Sequence, residues 1–369
     1  MPYYVAPDGY IRSVSKTKKS VAALFAGAGG LDLGFKQAGF KVLWANEYDK
    51  DIWASYEKNF PGTRLDRRSI TEIEPNEIPD LDGLIGGPPC QSWSEAGAAR
   101  GIEDHRGQLF WEYMRILKAK RPSFFLAENV SGILFNRHNK AFHKILSGFT
   151  DLGYNVSFGL LNANDYGVPQ DRERVIIVGY RVETNKFFIP PAPDESRPTL
   201  RSAILDLSKS VVPALSNNYT NPKQKKTNHE YMVGGFSSMF LSRNRVRKWD
   251  QPSFTIQAGG RHAPLHPQAP TMKKIGKDVW EFDSEFESLY RRLSVRECAR
   301  IQTFPDEYEF VYSRVSDGYK MIGNAVPVEF GRRLAAQIMS DLKSVKITKP
   351  SRKKGTYKSF EELIKQIGN

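Results

Sequence analysis

Leu81-Asp82-Gly83-Leu84-Ile85-Gly86-Gly87-Pro88-Pro89-Cys90-Gln91-Ser92-Trp93-Ser94 runs from an apolar segment into a stiff loop. The apolar part has the length and flanks of a buried strand. Two glycines and two prolines then stop it, because proline fixes φ and offers no N–H to a ladder. Cys90 is therefore held just past a strand end. The same grammar recurs on both sides. Val21 to Phe25 leads into Gly27-Ala28-Gly29-Gly30, Val42 to Ala45 into Asn46-Glu47, and Ser123 to Ala127 into Glu128-Asn129-Val130. Helical spacings lie between them: Leu31, Phe35 and Ala38; Ile52, Tyr56 and Phe60; Phe110, Tyr113, Met114 and Leu117. A helix over 138–151 and strands near 154–161 and 174–179 follow. Strands alternating with helices predict an α/β fold, a doubly wound, mostly parallel sheet with right-handed crossovers.

After Tyr180 the texture changes. Pro190-Pro191-Ala192-Pro193 reads as a linker, and residues 185–290 are rich in loop formers and poor in long periodic runs. A second, smaller domain is expected there. Regularity returns near Gly318, and Leu334, Ala335, Ile338 and Met339 recur at helical spacing. The expected organisation is a main unit over 20–182, a small domain over 183–317, a return segment over 318–342 that completes the main unit, and basic arms over 1–19 and 343–369.

Composition narrows the function classes. A chain of 369 residues with 40% hydrophobic and 26% charged residues suits a soluble protein of two domains. Two cysteines, Cys90 and Cys298, without a CxxC pair argue against a disulfide framework and a cysteine-rich zinc site. The histidines show no HExxH spacing, so no metal is expected. No run spans a membrane, and Met1 to Ser20 lacks the apolar core of a signal peptide, which makes the cytoplasm the expected compartment. A net charge of +13 favours a polyanionic partner.

In a parallel sheet, Gly27, Glu47, Cys90 and Glu128 lie along one carboxyl edge, where α/β folds bind ligands. Gly27 and Gly29 begin a dinucleotide fingerprint, but Asp32 stands where its third glycine belongs. A pyrophosphate cradle, and with it a nicotinamide oxidoreductase, is disfavoured. The loop still admits close approach of a nucleoside. Glu47, about 20 residues on, is placed to bond ribose hydroxyls, with Tyr48 beside it to stack on a base. Cys90 and Glu128 suggest a nucleophile with a carboxylic acid partner, held protonated in a partly apolar pocket. Arg172 and Arg174 alternate just before the run Val175 to Val178, which puts both on one strand face, able to hold an anion or a base carbonyl. Taken singly, a buried core cysteine, a capping acid and a solvated arginine pair satisfy the same residues.

Taken in order, these residues resemble the cytosine-C5 DNA methyltransferases over nearly the whole chain. Phe25-Ala26-Gly27-Ala28-Gly29-Gly30 is similar to that family's cofactor loop, Pro89-Cys90-Gln91 to its nucleophile motif and Glu128-Asn129-Val130 to its acid motif. Gln170-x-Arg172-x-Arg174 is similar to its paired arginines. Arg292-Leu293-Ser294-Val295-Arg296-Glu297 and Gly323-Asn324-Ala325-Val326-Pro327 are similar to its two late motifs. Ser242 to Arg247 and Leu265 to Pro270 further resemble the HaeIII-type modification enzymes, which act on GGCC.

The resemblance implies a class I S-adenosylmethionine-dependent fold, Rossmann-like, whose small domain recognises the target. It implies Cys90, Glu128, Arg172 and Arg174 as catalytic. S-adenosylmethionine would lie on Phe25, Ala26, Gly27, Gly29, Gly30, Leu31, Glu47, Tyr48, Ser69, Ile70, Pro89, Leu109, Asn324 and Ala325. Ser69 replaces the aspartate that usually bonds the adenine. Ser94, Arg243, Arg245 and Arg261 would contact double-stranded DNA, with arginines reading guanine. The implied reaction is addition of Cys90 to C6 of a flipped-out cytosine, with Glu128 at N3, methylation at C5 and expulsion of the thiol. Gly97, Gly101 and Gly107 would serve as hinges of a closing loop. A monomeric bacterial enzyme paired functionally with a restriction endonuclease is implied. An RNA cytosine methyltransferase and a catalytically silent DNA-binding protein are the competing readings.

Overall fold

The computed structural model describes residues 3–5, 11–13, 19–89, 108–343 and 353–367. Cys90, Ser94 and the three expected hinge glycines lie outside the described residues. The central sheet has eight strands: β1 (Ser20–Leu24), β2 (Lys41–Asn46), β3 (Arg64–Asp66), β4 (Gly83–Gly86), β5 (Phe124–Val130), β6 (Tyr154–Asn162), β7 (Glu173–Arg181) and β8 (Tyr357–Ser359). Their order across the sheet is β8-β6-β7-β5-β4-β1-β2-β3. β7 alone runs against its neighbours; every other pairing in the sheet is parallel. The doubly wound expectation holds. The short β3 is an addition, so the strand that leads toward Cys90 is fourth in sequence.

The strand sequences explain why both faces are covered. Val21, Ala23, Ile85, Phe124, Leu126, Ile176 and Val178 join one buried core. Their neighbours Ala22, Leu24, Leu84, Phe125, Ala127, Val175 and Ile177 join another. A continuous apolar strand sends alternate residues to opposite faces, so each face needs its own helical layer. α1 (Gly30–Gln37) and α8 (Val328–Lys343) contribute Phe35, Leu334 and Ile338 to the first core. α3 (Gln108–Lys120) and α4 (Asn139–Asp151) contribute Tyr113, Leu117, Ile145 and Phe149 to the second. α2 (Lys50–Asn59) follows β2, with the Asp49 carboxylate capping its first turn.

α1 and α8 approach closely because Gly34 has no side chain. A Cβ there would lie 2.6 Å from the Val328 carbonyl oxygen and the Arg332 nitrogen. The return of the chain to the main core is thus written into both segments.

The stretch after β7 holds short helical turns and two-residue strands, as its composition implies. α5 (Leu200–Ile204), α6 (Val295–Ile301) and α7 (Val315–Asn324) bury Leu200, Ile204, Cys298, Ile301, Tyr319 and Ile322 in the first core. Phe240, Val246, Leu265, Ala269, Met272 and Tyr290 form a separate small core. No described helix is long and apolar enough to cross a membrane.

The C-terminal residues correct one expectation. They do not form only a basic arm. Tyr357–Ser359 pairs with Val156–Phe158 on the β6 edge, and α9 (Phe360–Ile367) follows. Phe360 and Leu363 are buried, and Phe360 packs where Gly159 lacks a side chain. Phe360 and Leu363 anchor that helix; the lysine-rich composition upstream of Tyr357 obscures it.

Candidate active site

The loop after β1 is wound tightly. Phe25, Gly27 and Gly29 all have positive φ, at 54°, 55° and 72°. Positive φ is uncommon for a bulky residue and marks a backbone held by its surroundings. A Cβ on Gly27 would meet no atom within 4 Å, so the loop opens outward there. At Gly30 the reason for glycine differs, since a Cβ would lie 2.2 Å from the Val326 carbonyl oxygen. The return segment Ala325-Val326 therefore seats directly on the start of α1.

Glu47 closes this loop from β2. Its Oε2 accepts the Gly27 N–H at 2.8 Å and its Oε1 accepts the Asp49 N–H at 2.8 Å. Burial raises its pKa above the usual carboxylate range, offset in part by these N–H donors. Each oxygen keeps a lone pair for a ligand hydroxyl. Tyr48 beside it is 71% exposed, which leaves its ring free to stack. Asn324, also exposed, reaches the same region through the contact of Ala325 with Gly30.

The other expected cofactor residues divide by exposure. Ala26, Pro89 and Leu109 are partly exposed, whereas Leu31, Ile70 and Ala325 are buried. The Leu31 and Ile70 side chains belong to the two cores. Ser69 caps the turn over Ile70–Glu72, and its hydroxyl bonds the Thr71 hydroxyl at 2.8 Å. That role holds the turn, with Ser69 Oγ also accepting the Thr71 N–H.

Glu128 lies within β5 rather than after it, because pairing with β7 continues to Val130↔Arg174. Arg174 therefore sits diagonally across from Glu128 on the same face of the sheet. Its Nε lies 2.7 Å from Glu128 Oε1, with each side chain 13% exposed. The acid is thus not isolated in an apolar pocket but ion-paired. Burial lowers the Arg174 pKa, and Glu128 works against that fall.

The loop from β4 comes close to the same acid. A Cβ on Gly87 would lie 2.9 Å from Glu128 Oε2. The Asn129 side-chain amide donates to the Pro88 carbonyl at 3.2 Å. Gly87-Pro88-Pro89, the residues leading into Cys90, are pinned beside Glu128. The sequence reading missed the roles of Gly87 and Asn129; the tandem glycines and the Asn next to the acid were the available signals.

Arg172 requires a correction. It was expected beside Arg174 facing substrate, but it is only 1% exposed. Its guanidinium donates to the backbone carbonyls of Ile256, Gly323 and Ala325 at 2.9–3.0 Å. Strand alternation fails as a guide because the ladder with β5 ends at Val130↔Arg174. Residues 169–171 pair instead with Ser253, through Asp171 N–H to Ser253 O and Ser253 N–H to Pro169 O. Gln170 accepts the Ile256 N–H and donates to Gln302, which in turn donates to Ile322 O. This motif binds three distant chain segments together.

Asp171, Thr255, Gln257, His262, Arg243 and Ser131, the residue after β5, line a cleft. Arg243 is exposed and without a hydrogen-bond partner among the described residues, as is Arg261 in the turn Gly260–His262. Arg245 departs from its expected role. It is 7% exposed and donates to Phe240 O and Met239 O at 2.8 and 2.9 Å. Burial, reinforced by Arg243, pushes its pKa down to about 10. Most of this side chain straps its own loop.

Residues 20–340 match the family model described as C-5 cytosine-specific DNA methylase. The Type II methyltransferase M.FnuDI of Fusobacterium nucleatum is 54% identical over 324 residues, covering 87% of this chain and 94% of that one. M.MthTI of Methanothermobacter thermautotrophicus is 54% identical over 326 residues, covering 88% and 98%. Among solved structures, the Entamoeba histolytica methyltransferase EhMeth superposes with a TM-score of 0.65 at 15% identity, over 89% of this chain and all of that one. Spodoptera frugiperda DNMT2 does so with a TM-score of 0.60 at 18% identity, over 88% and all of it. These last two likenesses speak for the fold. With the family model covering seven of the eight sheet strands and the acid motif, the chain belongs to the C-5 cytosine-specific DNA methylases, enzymes that act on DNA.

Proposed function

We propose that this enzyme methylates C5 of a flipped-out cytosine in duplex GGCC, with S-adenosylmethionine as donor and Cys90 as nucleophile, in a restriction-modification setting. The observation that carries the chemistry is the Glu128–Arg174 ion pair at the mouth of the loop leading into Cys90. C5 of cytosine is a poor nucleophile. The Cys90 thiolate adds to C6 while Glu128, in its carboxylic acid form, gives its proton to N3, so that C5 becomes electron-rich and takes the methyl group. Arg174 fixes the Glu128 carboxyl and holds charge near the base carbonyl. Loss of the C5 proton and expulsion of Cys90 complete the cycle. The cytosine must leave the helix to be reached, at a cost of a few kcal/mol.

The residues around Gly27 fit S-adenosylmethionine. The open face at Gly27, the half-free carboxylate of Glu47 and the exposed ring of Tyr48 suit a glycine-loop amine, a ribose diol and an adenine. Gly29, Gly30, Asn324 and Ala325 complete that edge. The bound group supplies an electrophilic methyl. Arg243 and Arg261 supply free donors for guanine. The GGCC target rests on the likeness of residues 242–247 and 265–270 to the HaeIII-type enzymes.

Incubating plasmid DNA with the enzyme and S-adenosylmethionine, then sequencing after bisulfite, tests this reading. Protection of one cytosine in every GGCC is expected. Protection at another motif would remove the GGCC assignment, and equal methylation of RNA would favour the competing reading.

A further inference from the structure

We propose that His262 is a base-reading residue, accepting a hydrogen bond from the exocyclic amine of a cytosine in the target duplex, beside a guanine held by Arg243. The assignment rests on the DNA-methylating reading above and adds a specificity determinant to it.

Local structure places the ring. Val246 and Leu265 form a parallel bridge, with Leu265 N–H donating to Arg245 O at 3.0 Å. Arg243 and His262 each precede the bridge by three residues, so the pairing brings both to one end of the cleft. The Gly260–His262 turn is pinned by His262 N–H to Gly259 O at 2.8 Å and Ala263 N–H to Gly260 O at 3.1 Å. A Cβ on Gly260 would lie 2.6 Å from the Tyr319 ring, so the turn presses against α7. The imidazole leans over Gly259, where a Cβ would lie 3.4 Å from its Cδ2. Ser131, at the end of β5, lines the same cleft.

The chemistry of the cleft then selects a ligand. The imidazole nitrogens have no hydrogen-bond partner among the described residues. Burial and the charges of Arg245, Arg292 and Arg261 lower the His262 pKa. A neutral imidazole carries one N–H and one bare nitrogen, and the bare nitrogen accepts. Arg243 can only donate. The Asp171 carboxylate is tied to Arg247 through Oδ2 at 3.0 Å. A donor side chain beside an acceptor side chain matches the major-groove edge of a G·C pair. That edge sets guanine O6 and N7 acceptors next to the cytosine N4 donor.

Single-turnover methyl transfer tests the assignment, with duplexes carrying the site found by bisulfite mapping. Each cytosine other than the methylated one is replaced in turn by 2-pyrimidinone, which lacks the amine. Wild type should lose about tenfold at one position. His262→Ala should lose about tenfold on the natural duplex and nothing further at that position. His262→Gln, whose amide oxygen accepts, should regain most of the rate. Binding of S-adenosylmethionine, measured by calorimetry, should be the same in all three. Equal analogue penalties in wild type and His262→Ala at every cytosine would overturn the proposal. So would a His262-dependent penalty confined to adenines replaced by unsubstituted purine. Absence of methylation of any duplex by wild type would defeat the DNA reading itself, and the proposal with it.

Discussion

Arg174 Nε lies 2.7 Å from Glu128 Oε1, and the two residues are diagonal neighbours on paired antiparallel strands. β7 is the strand that runs against the rest of the sheet, and that reversal brings its first residues to the carboxyl edge. Parallel topology alone would have put Arg174 at the far end from the acid. Glu128→Gln is therefore expected to cut the methyl-transfer rate by about 10²- to 10⁴-fold, the range for losing a positioned acid–base group. It also strands a buried guanidinium. Rapid-quench kinetics should show the loss in kcat more than in KM for DNA.

A Cβ at Gly87 would crowd the Glu128 carboxylate, at 2.9 Å from Oε2. Gly87→Ala must push either the carboxylate or the loop aside. Activity should fall at least tenfold while the melting temperature moves little, because the change lies in a loop. Calorimetry beside steady-state assays checks both halves.

Arg172 is a strap, and its substitution should act on stability. Arg172→Lys leaves several of three buried carbonyls unpaired, each costing about 1–3 kcal/mol. The urea midpoint should fall clearly. A change in KM for DNA with an unchanged midpoint would restore a substrate-facing role.

Asp32 sets a pH dependence. It is buried in the first turn of α1, accepts the Tyr56 hydroxyl, and is pushed up to about 7 by burial. Its folded-state pKa is above the unfolded value, so the folded state holds the extra proton. That stabilisation is full below about pH 4 and lost as pH rises through about 7. Asp32→Asn should flatten the fall between those limits, by an amount on the order of a few kcal/mol. Chemical denaturation of both proteins across this range would show it.

Removing residues 344–369 deletes β8 and α9 and uncovers the β6 edge. An open edge strand invites pairing with other chains. Lower unfolding temperature and concentration-dependent aggregation are expected, measured by scanning fluorimetry and light scattering. Binding of S-adenosylmethionine should be unchanged, because the proposed site at the Gly27 loop follows β1, four strands from the β6 edge.

The strands and their order toward one edge were legible because each strand is a short apolar run closed by glycine, proline or an acid. Period-two sorting of Val21 to Leu24 and Phe124 to Ala127 onto two cores follows from that run alone. Glu128 was legible as an acid closing an apolar run, and the structure sets it beside Gly87 of the loop that follows β4. What escaped was every role set by contacts distant in sequence. Arg172 and Arg174 look alike in sequence, yet one meets an acid and the other three carbonyls some 84–153 residues away. Arg245 and Arg243 differ in the same way, one spent on its own loop and one free. α9 was hidden because lysine-rich composition outweighed a helix of only eight residues.

Attack of Cys90 on cytosine beside Glu128 would leave a covalent signature. Duplex containing 5-fluorocytosine at the target position should trap a covalent complex with wild type and S-adenosylmethionine, resolved by denaturing electrophoresis. Cys90→Ser should give none, and Glu128→Gln far less than wild type. A complex formed equally well by Cys90→Ser would contradict the account.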